Sequence, residues 1–421
     1  MHSFDKEIKD YINHIESVKN TFILVSKIME TSEAFAANQL NTFLKTKCLQ
    51  EDLKEGKATY SIPSKHSTEY HRYKKITNTF DKANIFLPRS FIVSLISLYD
   101  AYLGKLIKTM FYTKPETLNA SQKNIPFSQL MEFTSIEEAK EYIIEKEVET
   151  VLRDSHSEQF KWLEKKLEIT LTKNLLIWPT FIEVTERRNL FVHADGVVSS
   201  QYISVCEKHG VVLDKLSEIG SILNVSDDYF IDSYNCLFEI GFKLGQVVWR
   251  KLQPNNIKDA DENLIDITFD LIVNNEYDLA IRLLEFANDI IKKYSSQDAK
   301  LRNIINLGQA YKWKGMNNKL EKLLKEIDWS ALAPHYRIAH SVLKEEYTEA
   351  SKLMKKIDAD DIDMNAYKEW PLFKEFRRTE EFKQSYYDIF GEEYIFNEDI
   401  SDSIQEFLSS EIAVTKEENI D

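Results

Sequence analysis

Glycine and proline are scarce, ten and eight in 421 residues. Those two residue types punctuate chains into turns and short strands, so their rarity points to long helices. Three cysteines, Cys48, Cys206 and Cys236, stand far apart with no Cys-x-x-Cys pair. Neither a disulfide framework nor a zinc knuckle is suggested, and buried free thiols are expected. No uninterrupted apolar run approaches the roughly 20 residues that cross a bilayer. The opening residues, Met1-His2-Ser3-Phe4-Asp5-Lys6-Glu7, carry charge where a signal peptide needs an apolar core. A cytoplasmic protein with no membrane partner is the expectation. Also lacking are a Gly-rich phosphate loop, Gly-x-Ser-x-Gly and His-Glu-x-x-His, so nothing argues for an NTPase, a serine hydrolase or a zinc enzyme. No metal and no cofactor is expected.

The net charge is −15, and it is unevenly spread. Residues 1–254 hold 32 Lys/Arg against 34 Asp/Glu, whereas residues 255–421 hold 22 against 35. Phosphate binding needs local positive charge, so the N-terminal part stays compatible with RNA and the acidity belongs to the C-terminal part.

Apolar residues recur at helical spacing, as in Ile8, Tyr11, Ile12, Ile15, Val18, Phe22 and Val25, and an all-α fold is expected. A polar passage from Gly56 to Ser67 separates the opening helices from a strong one that starts after Pro88. From Arg89 to Lys108 the chain is apolar almost all round, as in a buried helix. Ser94, Ser97, Ala101 and Gly104 form a narrow stripe on it that invites close approach, bordered by Asp100, a charge that needs a partner. Residues 137–177 read as further helix. Trp178-Pro179 then opens a new one, proline being tolerated in a helix first turn. Val211, Val212, Ile219 and Ile222 suggest a small β-hairpin between Gly210 and Asn224. Ser226 caps a long helix that runs to Pro254.

Beyond Pro254, helical segments come in pairs: 264–273 with 277–292, 301–314 with 317–327, and 336–343 with 347–357. Ala280, Leu320 and Ala350 hold matching places at spacings of 40 and 30 residues. These scatter around the ~34 residues of a tetratricopeptide unit and imply degenerate helical-hairpin repeats. The expected domains are an N-terminal segment 1–85, a bundle 86–254, repeats 255–395 and an acidic tail 396–421.

One segment carries chemistry: Arg187-Arg188-Asn189-Leu190-Phe191-Val192-His193-Ala194-Asp195-Gly196. An Arg followed five residues later by His means little, because chance supplies about one such pair in every four chains of this composition. The flanks add specificity. Arg188-Asn189, three apolar residues, His193, then Ala194-Asp195 and Gly196 resemble the Arg-Asn-x-x-x-His signature of the HEPN superfamily (higher eukaryotes and prokaryotes nucleotide-binding). An apolar helix with an internal acid, the motif helix and a long closing helix extend the resemblance over roughly residues 86–254.

The resemblance implies a metal-independent endoribonuclease. Such cleavage needs a group to move the 2′-OH proton and a cation for charge building on phosphorus. Histidine suits the first at neutral pH and a forked guanidinium the second. His193 is therefore assigned to proton transfer and Arg188 to the phosphate. Asn189 would orient His193 or phosphate, Arg187 would make an auxiliary phosphate contact, and Asp100 would orient Arg188 or His193. Relatives of this kind commonly dimerise around a composite site and serve in abortive infection or toxin–antitoxin defence, so RNA, a second copy of the chain, and a protein regulator or antitoxin on the repeats are the implied partners.

Two blander readings compete. His193 and Asn189 could cap the helix C-terminus while Arg187 and Arg188 meet its dipole, and the whole chain could be a non-catalytic scaffold that dimerises and binds a partner. Elsewhere, His66 and His71 lack metal-ligand spacing. Tyr70-His71-Arg72-Tyr73-Lys74-Lys75 reads first as a solvated helix face and second as a stretch that holds RNA by charge and stacking.

Overall fold

A computed structural model describes residues 3–54, 57–120, 125–213, 218–357 and 362–395. The chain divides into two compact units, Met1–Ala260 and Asp261–Asp421. The fold is all-α, with one small antiparallel hairpin among the described residues.

The first unit opens with two very long helices, α1 (Phe4–Lys47) and α2 (Ser67–Thr113), joined through the hairpin β1 (Leu49–Lys54) and β2 (Lys57–Ser61). They run antiparallel: Tyr11 stacks on Tyr102, Phe22 meets Phe91 edge-on, and Phe43 contacts Tyr73. The inner halves are core. In the outer halves α1 buries only Ala36 and Phe43 beyond Phe22, and α2 buries nothing before Arg89. That outer part is an arm of two helices covering one another.

The expected start after Pro88 is therefore corrected: α2 begins at Ser67 and passes through Pro88. Proline removes one backbone donor from the ladder, yet the helix continues because both flanks are fixed by α1. Pro88 marks where exposed arm gives way to buried core, which is why the apolar pattern begins just after it.

Four shorter helices follow: α3 (Phe127–Leu130), α4 (Ile136–Arg153), α5 (His156–Leu167) and α6 (Trp178–His193). Continuous helix over 137–177 is thus broken, at Asp154-Ser155 and again after Leu167, where Glu168 turns left-handed (φ 52°). Ser135 caps α4 by accepting from the Glu138 N–H, and Glu138 reaches back to the Thr134 N–H. Then come α7 (Ser200–Lys208) and α8 (Asp227–Leu252), the latter capped by Ser226 as expected.

At the centre α2 packs on α1, α4, α6 and α8. Close approach comes from glycines on α8 that the sequence reading passed over. A Cβ on Gly241 would collide with the Tyr11 ring, and one on Gly245 with Tyr102 and Ile8. Of the small-residue stripe on α2, only Gly104 is covered closely, by Leu152 and Val148 of α4; Ser94, Ser97 and Ala101 are exposed.

The hairpin expected between Gly210 and Asn224 is corrected too. Residues near Ile222 pair instead with the chain just after α6, through an isolated Val197–Ile222 bridge and hydrogen bonds between Val198 and Ser221 and between Leu223 and Gly196. The Val211 N–H closes the end of α7 on the Cys206 carbonyl, and Val212 is solvent-exposed. The true hairpin, in register Leu49↔Ser61 and Gln50↔Tyr60, runs from the end of α1 into the polar passage, where β-branched residues are few.

The second unit contains the helical pairs anticipated: α9 (Lys258–Val273) with α10 (Tyr277–Ile290), α11 (Gln297–Trp313) with α12 (Asn317–Lys325), and α13 (Pro334–Leu343) with α14 (Tyr347–Met354). Two short helices, α15 (Met364–Glu369) and α16 (Glu380–Phe390), follow. Each pair turns through one left-handed residue, Asn275 (φ 58°), Gly315 (φ 72°) or Glu345 (φ 61°). The next N–H in each case bonds a carbonyl five residues back: Glu276 to Leu271, Met316 to Tyr311, Glu346 to Ser341, all at 2.8 Å. Ala280, Leu320 and Ala350 are all buried. The repeats are thus real at the level of turn chemistry, although their lengths differ.

Among the described residues one helical segment, Ser64–Thr113, is long and apolar enough to cross a membrane, and half of its apolar window is buried within the protein.

Candidate active site

The motif occupies the last turns of α6, which starts with Pro179 in its first turn and Trp178 Nε1 donating to His209 Nδ1 at 3.2 Å. Phe181, Ile182 and Val184 are buried, and Phe181 meets the Tyr99 ring of α2 edge-on. The helix stays regular through His193. It closes when the Leu190 carbonyl accepts from both Ala194 N (2.8 Å) and Gly196 N (3.0 Å), with Asp195 (φ 49°) and Gly196 (φ 79°) left-handed. Only glycine fits here: a Cβ on Gly196 would lie 3.0 Å from both Arg89 Nη2 and the Leu223 carbonyl.

Arg89 holds that turn. Its Nη1 donates to the Asp195 carboxylate (3.0 Å) and backbone carbonyl (3.2 Å), its Nη2 to the Leu223 carbonyl and Asn224 Oδ1 (both 3.0 Å). The guanidinium lies over the Phe191 ring. No feature of the sequence singled out Arg89, because its partners are more than a hundred residues away.

A second network fixes the middle of α6. Buried Glu183 accepts from Arg187 Nε (2.6 Å), Tyr202 Oη (2.7 Å) and Tyr229 Oη (2.8 Å). Arg187 lies 3.9 Å above the Tyr229 ring. Burial, and next the Glu183 carboxylate, raise both phenols well above their ordinary range. Burial pushes the nearby Cys206 thiol up to about 12, so it is no nucleophile at neutral pH. Arg187, expected to contact phosphate, is thereby committed to holding α6 against α7 and α8. The i, i+4 spacing of Glu183 and Arg187 was the visible signal; the two tyrosines were not.

Arg188 points the other way, to α2. Its Nη2 donates to Asp100 Oδ2 at 3.0 Å, while the other Asp100 oxygen accepts from His156 Nε2 at 2.9 Å. His156 opens α5 and is buried between the Tyr99 and Phe181 rings. A carboxylate can only accept, so the imidazole donates and the acid is held from both sides. Asp100 thus pairs with Arg188 and His156 and touches no part of His193 among the described hydrogen bonds. The Arg188 Nε is buried with no hydrogen-bond partner among the described residues, and Nη1 donates to no described residue. His156 escaped the sequence reading: a lone histidine in a polar turn gives no periodic signal.

His193 is exposed, and Asn189 is half-buried. Neither side chain hydrogen-bonds a described residue. At about 100° per residue, Asn189 and His193 lie about 40° apart around α6, whereas Arg188 and His193 lie about 140° apart. No distortion of the helix end narrows that angle, since the left-handed residues come only after the motif.

His66 pairs with Glu69 and His71 bonds the Ser67 carbonyl. Among the described residues no three His, Cys, Asp or Glu side chains cluster as a metal site requires. The second unit contains a groove of about 900 Å³ edged by Phe269, Tyr336 and Trp370 and by Asp266, Asp270 and Glu369. No family model, curated protein or solved structure matches this chain.

Proposed function

We propose that this protein is a metal-independent endoribonuclease of the HEPN type, acting in the cytoplasm in a toxin-like defence role. One observation carries the reading. The structural tasks that would otherwise explain the motif are done by other groups: Leu190, Gly196 and Arg89 close the helix, and Arg187 serves the core. His193 and Asn189 hydrogen-bond no described residue, and Arg188 is aimed by Asp100, whose other oxygen is held by the buried His156. That argues against the capping explanation, since neither His193 nor Asn189 bonds a helix-end carbonyl.

In the proposed reaction the 2′-oxygen attacks phosphorus and the P–O5′ bond breaks. His193 takes the 2′-OH proton, and Arg188 holds the non-bridging oxygens as their charge grows. Asn189 orients the imidazole or the phosphate. The leaving 5′-oxygen receives a proton, giving a 2′,3′-cyclic phosphate and a 5′-hydroxyl. Because Arg188 and His193 face different ways on one helix, the reading places the reaction between two copies of the chain, the second copy's His193 serving as the acid. The repeat unit, with its groove, would hold a protein regulator.

The purified protein is expected to cut RNA in EDTA. His193→Ala and Arg188→Ala are each expected to slow cutting by about 100-fold or more with little change in thermal stability. Cutting unaffected by both substitutions overturns the assignment. A wild-type protein that binds a partner and cuts nothing establishes the scaffold reading instead.

A further inference from the structure

The arm formed by the outer halves of α1 and α2 serves no part of the chemistry above, yet it has a distinct charge. Residues 44–84 hold nine Lys/Arg against five Asp/Glu in a chain whose net charge is −15. Lys45, Lys47, Lys65, Arg72, Lys74 and Lys75 are all exposed, and none forms an ion pair with a described residue. Cations elsewhere in the same unit are mostly engaged: Lys6 with Asp10, Lys108 with Glu141 and Glu145, Lys146 with Glu149, Lys161 with Glu158.

The arrangement narrows what such a surface can hold. Tyr73 is packed on Phe43 of α1 and Tyr70 lies half-buried against His71 of its own helix, so neither ring stands clear as a platform for stacking bases. With Tyr73 facing α1, Arg72 and Lys74 point about 100° to either side and Lys75 about 160° away. The cations therefore surround the arm. A surface with many mobile positive charges and no base-reading groups binds phosphates along a backbone, without sequence preference.

We propose that the arm end is an exosite for the phosphate backbone of RNA, which captures long substrates and leaves short ones alone. The choice of RNA as the polyanion rests on the ribonuclease reading; the binding surface does not. Arg72 precedes Asp100 by 28 positions on α2, which is about 42 Å at 1.5 Å per residue. At ~2.8 Å of rise per base pair of an A-form duplex, a substrate needs about 15 nucleotides to touch both places.

The test uses the full chain with Lys45, Lys47, Lys65, Arg72, Lys74 and Lys75 all changed to Gln, beside a control in which the five lysines become Arg. The probe is a 30-base-pair RNA duplex, with affinity read by anisotropy across about 50–200 mM salt. The Gln variant should bind at least about tenfold more weakly and lose about 3–5 units from the slope of log K against log salt, at ~0.9 per lost phosphate contact. The Arg control should bind as wild type. In cleavage, KM should rise for RNAs of about 30 nucleotides and stay unchanged for RNAs shorter than about ten, with kcat constant in both.

Equal affinity and equal slope in wild type and Gln variant overturn the exosite. So does a Gln variant that keeps its RNA affinity and loses binding only to vesicles containing phosphatidylserine; in that case the cations, together with exposed Leu24, Ile28 and Phe35, serve a lipid surface. If the wild type proves unable to cut RNA while the Gln variant loses duplex binding, the exosite stands and the catalytic reading falls.

Discussion

Arg188 and Asp100 are 88 residues apart in sequence and 3.0 Å apart in space, and their ion pair ties α6 to α2 at the point where His156 closes on the other oxygen. His156 is the more deeply buried donor, so the acid is fixed first to the core and then offers its free side to Arg188.

Removing the acid strands a buried imidazole donor. Asp100→Ala should cost about 1–3 kcal/mol, below the range for a fully buried pair because Asp100 remains partly solvated. Asp100→Asn should cost less, since its amide oxygen still accepts. Urea midpoints measure both; an unchanged midpoint for the alanine variant contradicts the shared-carboxylate arrangement.

The two adjacent arginines should behave oppositely. Arg187→Gln leaves Glu183 buried beside two phenols without its counter-charge, at a cost of about 2–4 kcal/mol. Arg188→Gln should cost under about 1 kcal/mol, because that group is partly exposed and can be replaced by water. Comparable melting curves for the two variants would refute this division of labour.

Alkali should unfold the first unit early. Burial, the leading cause in each case, holds the phenols of Tyr11, Tyr99, Tyr102, Tyr202 and Tyr229 above their ordinary range. In the unfolded chain they ionise near 10. The folded state therefore keeps protons that the unfolded state releases, and stability present below about pH 10 is lost as pH rises, by up to about 1.4 kcal/mol per pH unit for each phenol. Urea midpoints at about pH 8, 10 and 11 should be level and then drop, and Tyr229→Phe should flatten the drop. A midpoint constant to about pH 11 contradicts the prediction.

Gly196→Ala should destabilise by about 1–2 kcal/mol from the left-handed backbone alone, with more added by contact against Arg89 and Leu223. Calorimetry gives the cost. A neutral substitution contradicts the left-handed constraint at Gly196.

How much of this was legible beforehand depends on the range of the interaction. The Ser226 cap, the Pro179 start, the Gly196 stop and the paired helices of the second unit are set within a few residues, and each was readable from local spacing. Helix through Pro88 was not, because a partner 50 residues away stabilises the arm. The hairpin was misplaced because β-branched composition is a weaker signal than the partner a strand actually meets: Ile222 found Val197 rather than Val211.

The sequence by itself determined which residue types stand at the end of α6, and with them the chemistry open to that helix. Only the tertiary structure separated the two arginines, sending Arg187 into the Glu183 network and Arg188 to Asp100, and only it supplied His156 and Arg89. Helical periodicity settles a side chain's angle around its own axis. The charge that waits at that angle belongs to another helix, brought there by packing of the whole core.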